Sequence, residues 1–555
     1  MAATWSSLLA FLAILCGLIP LSRAASYIFV FEIWALRKSP ISLTLFFDLV
    51  SLIFAASVLL ISLSVIFFRH YYLRGMAGYT QFHLTLATFI LSIVVLIFSP
   101  NMVRVIIGWD GLGVSSYLLV IFYKSTKSFN AGLLTGISNR VGDGLILVSL
   151  GAFFSYPFLT TPVIGGARSF IRKEVLLLLA VAAMTKRAQV PFRAWLPAAI
   201  AAPTPVSALV HSSTLVTAGI YVLIRLFNSL PQELYMALSW LGATTIILAR
   251  LSALKETDGK KIIALSTLSQ LGVMMTGFRF NLPSLVFFHL LSHAFFKALL
   301  FISTGFVIHN FNNYQNLRLM GGSGKWISIN SRIIIATKLR LAGLPFFAGF
   351  YSKEALLEAL RSGATGLAVT YSIMVVGVIL TVLYSLRFLF SRSYFTLRIT
   401  SWGYSSLKSN SLVASRLLLF RLSIVSGKKL FFVLSPFSII PMLTLTRKLF
   451  ITLLLLRGGC WYFFSRRAST RRLKFYRLMW GLPIFAGGLL LKRGKRVGIK
   501  LVKDLGFSYL DYLIGPWTLQ VNNYHNLIIN QRSLSIQKTI VLLLMLPLSG
   551  AICIY

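Results

Sequence analysis

The chain has 555 residues, of which 57% are hydrophobic and 12% charged, and its mean hydropathy is +0.82. Soluble domains carry about 25% charged residues, so this chain lacks the polar surface they need, and its expected solvent is lipid; disorder, collagen and coiled coil are excluded with them. Its 54 Lys and Arg against 12 Asp and Glu give a net charge of +42, but the bases lie between apolar runs and not in one polar domain, which points to basic loops beside membrane spans and not to nucleic acid.

A spanning helix needs about 20 mostly apolar residues. Candidate runs lie near 5–21, 43–68, 84–98, 102–122, 133–154, 175–185, 198–227, 235–253, 262–278, 284–308, 331–347, 366–390, 430–443, 450–464, 480–491 and 540–555. Several are short and read as broken or protein-covered helices, so roughly 14 to 16 spans are expected. The runs are continuous and not alternating, which excludes a membrane barrel. The first basic residue is Arg23, so Trp5–Leu21 reads as a first span and not as a cleaved leader. Residues 1–80 are expected to form N-terminal membrane helices, 81–390 a core, and 391–555 a C-terminal membrane region with a lateral segment. Within the last, 391–429 is rich in Ser and Arg, and 465–500 holds RRASTRRLKFYR and KRGKR; these read as a basic loop, a lipid-headgroup contact or a partner surface. Cys16, Cys460 and Cys553 are too dispersed for a disulfide framework or a metal spacing.

Asp48, Asp110 and Asp143 fall inside apolar runs. A charge at mid-bilayer costs at least ~2.5–3.5 kcal/mol, so such residues face the bundle interior, pair or titrate, and they mark ion or proton paths by default. Lys186 ends the run VLLLLAVAAMT. A dry site lowers a lysine's proton affinity and a nearby carboxylate restores it, so Lys186 with Asp110 as partner is either a proton switch or a static ion pair that orders the bundle. His211 lies in PVSALVHSSTLVTAG, and His289, His293 and Lys297 stand at i, i+4 and i+8 in FFHLLSHAFFKALLF, where offsets of ~40° keep them on one helix face. Such a face suits a proton relay; a metal or haem site is the competing chemistry and would need further ligands. Pro191 after Lys186, and Pro345 before Lys353, interrupt two apolar segments in separate halves of the chain. That is the pattern of an inverted-repeat transporter core, or of ordinary kinks in a packed bundle.

The blocks GWDGLGVSSYLLV, SNRVGDG, TKRAQVPFRAWLPAAIAAPTPVSALVHSSTLVTAGIYVLIR, DGKKIIALSTLSQLGVMM, FFHLLSHAFFKALLF and LAGLPFFAGFYSKE closely resemble, in order, the subunit 5 family of mitochondrial NADH:ubiquinone oxidoreductase (respiratory complex I), of an invertebrate type. The resemblance covers residues 40–390, with a weaker echo in MWGLPIFAG and KDLGFSYLDYLIGPW. It implies an all-α polytopic membrane protein with two inverted five-helix antiporter-like repeats and a C-terminal amphipathic helix. It implies a proton-translocating role driven by NADH oxidation and ubiquinone reduction elsewhere in the complex, in the mitochondrial inner membrane. Flavin, iron–sulfur clusters and ubiquinone would belong to other subunits, with no cofactor or metal in this chain. The implied partners are neighbouring antiporter-like subunits and lipid, cardiolipin included. A subunit of a multisubunit cation/proton antiporter would share this core without a redox partner.

The resemblance places the proton path on Asp110, Lys186, His211, His289, His293, Lys297 and Lys353. Arg140 and Asp143 match the family's NRxGD and, with Asp258 and Glu354, take supporting places; Pro191 and Pro345 are the helix breaks. The chain departs from the family in three ways. Asp110 stands where Glu is usual and is one methylene shorter, and KRAQ replaces KSAQ, which sets Arg187 beside Lys186. Arg69, Arg104, Arg193 and Arg340 stand where Ser is common, and Lys338 where Asn is. One explanation is that AGA and AGG codons, read as Ser by several animal mitochondria, are written here as Arg; the low Met count of 12 fits ATA read as Ile.

Overall fold

A computed structural model describes residues 27–36, 39–76, 78–154, 173–280, 282–311, 313–320, 328–344, 347–362, 368–393, 416, 418–420 and 457. Two strands, β1 (Tyr27–Leu36) and β2 (Ser39–Phe47), open the described chain as an antiparallel ribbon pairing Tyr27 with Phe47 and Leu36 with Ser39. The rest is helical: α1 (Leu49–Tyr72), α2 (Tyr79–Ile97), α3 (Met102–Ile121), α4 (Thr126–Phe154), α5 (Lys173–Lys186), α6 (Thr204–Arg225), α7 (Gln232–Ala253), α8 (Gly259–Gly277), α9 (Pro283–Asn310), α10 (Ser328–Ala342), α11 (Ala348–Ser362) and α12 (Ala368–Ser393).

The ribbon is the one departure from an all-helical chain among the described residues. YIFVFEIWAL is dense in aromatic and β-branched residues, which favour a pleated backbone. The run expected near 43–68 therefore begins as strand and turns helical only after Asp48, whose carboxylate accepts from Ser51 N–H at 2.9 Å while Ser51 Oγ accepts from Asp48 N–H at 2.9 Å.

Among the described residues, seven helices are long and apolar enough to cross a membrane: α1, α2, α3, α6, α7, α9 and, within α12, Val369–Ser391. The sequence count of 14 to 16 is larger for two reasons. The runs at 5–21, 430–443, 450–464, 480–491 and 540–555 lie outside the described residues, and the runs that became α4, α5, α8 and α10 are not among the seven, α5 and α10 being only 14 and 15 residues long. These short helices are supported by neighbours, as broken helices require.

α9 is the axis of the assembly, with α1, α6, α8, α10 and α11 packed around it. α7 and α8 approach most closely at Gly242 and Gly272, where a Cβ on Gly272 would stand 2.8 Å from the Gly242 carbonyl oxygen; backbone contact of this kind admits only glycine. Outward, Leu84, Leu91, Ile107, Ile137, Leu147 and Leu177 expose an apolar face on α2 to α5, which a bilayer or a neighbouring subunit would cover.

Asp48 also ties the ribbon to the bundle. Arg225, the last residue of α6, grips it with Nη1 to Oδ2 at 2.5 Å and Nη2 to Oδ1 at 2.6 Å. Asp48 thus resolves as a clamp and not as part of an ion path. Burial pushes its carboxyl up, but Arg225 and the Ser51 bonds outweigh burial and hold it below its ordinary value. Asp48→Asn keeps the shape of the cap, removes the charge and strands Arg225, and is expected to cost roughly 3 kcal/mol. Because the folded carboxyl titrates below the unfolded one, its contribution is whole above about pH 4 and fades as pH falls further. Thermal unfolding in detergent, followed down in pH, should show wild type and Asp48→Asn converging on the acid side.

A candidate functional site of buried ionisable side chains

Lys186 is the last residue of α5 and is fully buried. The helix stops there because the following residues leave it: Ala188 takes φ +53°, and Pro191 removes a backbone donor. Helix resumes at Trp195, whose indole N–H donates to Thr185 O at 2.9 Å and pins the break. The expected interruption at Pro191 is therefore present. The Lys186 ammonium donates to the Trp109 carbonyl and lies 4.2 Å from the Trp109 ring centroid.

Asp110, one residue on from Trp109, does not form the contact with Lys186 that the sequence suggests. Its Oδ1 accepts from Arg140 Nη1 at 3.3 Å, and the same guanidinium reaches Asp143 Oδ2 at 3.5 Å. The aspartate side chain meets the fork on α4, and the hydrogen bond of Lys186 goes to the backbone. The result is one cation between two carboxylates at the edge of the bundle, with Arg140 44% and Asp110 32% exposed at the side chain; Asp143 is buried.

His211 sits in a π-turn, Val210–Thr214, in the middle of α6. Such a bulge re-aims side chains and is common at functional sites. The ring is buried, 6.2 Å from the Trp195 ring, so the helix break after Lys186 and the bulge meet at Trp195.

On α9, His289, His293 and Lys297 are all buried and stacked along one face, as their spacing requires. The two histidine rings are 6.4 Å apart. Lys297 Nζ donates to Ser266 Oγ on α8 at 2.5 Å. His289 has a partner at each nitrogen: Nδ1 to Ser352 Oγ on α11 at 2.8 Å, and Nε2 to Gln270 Oε1 on α8 at 3.3 Å. Lys353 is buried and its Nζ donates to Leu341 O at 2.8 Å, across the Gly343 turn between α10 and α11.

Lys186, His293 and Lys353 are thus all interior. Other buried polar side chains lie in the same bundle: Gln189, which accepts from Thr245 at 2.7 Å, and Ser266, Ser269 and Gln270 on α8, of which Ser266 meets Lys297 and Gln270 meets His289. Each such group in a membrane interior costs energy unless it is satisfied. The hydroxyls among them, like imidazole, can both give and take a proton.

Glu354 is buried beside Lys353. Asp258 does not join these groups: it precedes α8, pairs with Lys261 at 3.0 Å and bridges by backbone to Asn316. Pro345 lies outside the described residues. No three His, Cys, Asp or Glu gather as a metal set among the described residues. Ser266, Gln270, Ser352 and the Trp109 carbonyl were not singled out by sequence. The polar cluster STLSQ in an otherwise apolar helix was the available signal for the first two.

The profile described as NADH:quinone oxidoreductase/Mrp antiporter, transmembrane, matches residues 99–383. The chain is 43% identical over 375 residues to NADH-ubiquinone oxidoreductase chain 5 of Anopheles quadrimaculatus, an alignment that takes in 63% of each chain. It is 36% identical over 500 residues to the chain of the same name from Lumbricus terrestris, covering 87% of this chain and 86% of that one. Against the mosquito relative the chain therefore spans a little under two thirds of the length. Among solved structures, one from the Mrp complex of Dietzia sp. DQ12-45-1b superposes with TM-score 0.78 at 22% identity, over 99% of this chain and 63% of that chain; that likeness speaks to fold.

Proposed function

The chain belongs to the NADH:quinone oxidoreductase/Mrp antiporter transmembrane family, and on that premise we propose that it is a proton-translocating subunit of respiratory complex I in the mitochondrial inner membrane. It assembles there with neighbouring antiporter-like subunits and with lipid. NADH oxidation and ubiquinone reduction occur in other subunits, and this chain holds no redox group. Its part in the NADH:ubiquinone reductase reaction is to move protons along Lys186, the His289–His293–Lys297 face and Lys353.

The observation that carries this reading is the burial of three ionisable side chains on one face of α9, inside a sleeve of helices. An ionisable group kept in a membrane interior at a cost of kcal/mol is a functional group by default. Asp110, Arg140 and Asp143, at the open edge of the bundle, are placed to transmit charge changes from a neighbour to the Trp109–Lys186 contact.

Purification from native membranes in mild detergent tests the assembly. The chain is expected to elute with iron–sulfur subunits and NADH:ubiquinone reductase activity. Elution with antiporter-like subunits alone, and proton uptake driven by a cation gradient, would make it an antiporter subunit instead.

A further inference from the structure

We infer that Ser352 is the proton-exchange group of His289, the hydroxyl through which this histidine is loaded and unloaded on the Lys353 side. The inference rests on the proton-path reading above. His289 has two described partners, and they differ in kind. Gln270 offers an amide oxygen 3.3 Å from Nε2; an amide oxygen accepts a hydrogen bond but passes no proton on. With Nε2–H committed to Gln270, the neutral ring presents its lone pair at Nδ1, where Ser352 Oγ stands at 2.8 Å. A hydroxyl has one proton to give and lone pairs to receive another. If the Gln270 amide is turned the other way, the tautomer inverts and Ser352 accepts from Nδ1–H; the hydroxyl remains the group that can both give and take.

Local structure keeps the hydroxyl in place. Ser352 lies in the second turn of α11, immediately before Lys353, and α11 packs directly on α9. From the α9 side, Ser292 donates to the His289 carbonyl at 3.1 Å and approaches Ser352 Oγ at 3.4 Å. His289 and Ser292 stand one turn apart on α9, Gln270 is on α8 and Ser352 on α11, and all four are buried.

The exchange balances simply. A proton arriving at the Ser352 oxygen releases the hydroxyl's own proton to His289 Nδ1, which yields an imidazolium and an unchanged serine and leaves the donating group one proton short. The reverse discharges the histidine. Gln270 holds the ring orientation throughout and acts as a positioning residue.

The test uses the assembled complex in proteoliposomes, with proton pumping measured against NADH oxidation over a range of pH. Ser352→Ala is expected to lower the pumping rate about a hundredfold, the lower end of what a positioned proton-transfer group supplies. Ser352→Thr, which keeps the hydroxyl, is expected to restore pumping and the wild-type pH profile. Normal pumping and pH dependence in Ser352→Ala would overturn the inference. So would equal loss in Ser352→Thr with assembly intact, because that outcome assigns the serine to packing alone. Lys186→Ala separates the two levels. If that variant pumps normally, the proton-path reading has failed; if it is dead while Ser352→Ala is normal, only the role of Ser352 has failed.

Discussion

Lys186→Ala and His293→Ala are each expected to abolish proton pumping while leaving the complex assembled. Both side chains are fully buried, and neither takes part in a described ion pair whose loss would strand an opposite charge. Removing Lys186 frees the Trp109 carbonyl, a loss of about 1–3 kcal/mol set against the desolvation of an ammonium that no longer has to be buried. Stability is thus expected to change little, and transport entirely. His293 is the middle station of the α9 face, with the His289 ring 6.4 Å away on one side and Lys297 one turn further along on the other. Alanine there removes the titratable ring that stands between His289 and Lys297 on this face. Proteoliposome acidification with NADH as the electron source measures the effect, and blue-native electrophoresis checks assembly. Normal pumping in both variants would remove the mechanism.

The opposite sign is expected for Arg187→Ser and Arg250→Ser, which should each raise stability by about 2–3 kcal/mol. Both guanidinium groups are buried, and neither forms an ion pair among the described residues. Arg187 places Nη1 against the Met275 thioether, a weak acceptor, and has the Phe278 ring at 5.6 Å, while its Nε and Nη2 meet no acceptor. Arg250 leaves Nε and Nη1 unmatched. A serine needs no such partner, as buried serines elsewhere in the bundle demonstrate. Ser57, Ser62, Ser252 and Ser303 each return their hydroxyl to the carbonyl three or four residues back, at 2.7 to 3.0 Å. Thermal unfolding in detergent reads the gain; a fall in unfolding temperature on replacing either arginine contradicts the expectation. The decoding of AGA and AGG as serine makes the matching prediction for the native chain: peptide fragmentation should read serine at 187 and 193, and arginine at both rejects that decoding.

Much of the site was legible because a local period carried it. The i, i+4, i+8 spacing of His289, His293 and Lys297 needs only helix geometry to put them on one face, and the KRAQVP block announces its own helix break. Asp48, Asp110 and Ser352 were not legible, because the partner that decides each role is distant in sequence. Asp48 answers to Arg225, on the far end of another helix. Asp110 pairs with Arg140, which the next helix brings to it. Ser352 matters only because α11 folds back onto α9. The β ribbon was hidden in the same way: its residues are as apolar as a span, and only strand pairing separates the two.

The enclosure of α9 constrains how the protein is made. The whole of its most apolar 18-residue stretch is covered by other helices, so in the finished molecule lipid tails never touch it. A segment bearing two histidines and a lysine is a poor candidate for release into the bilayer as a solitary helix. Its insertion must be cooperative, with the surrounding helices gathered at the insertase before it departs sideways. Delayed synthesis of α10 and α11 should leave it stalled there, exposed to quality-control proteases.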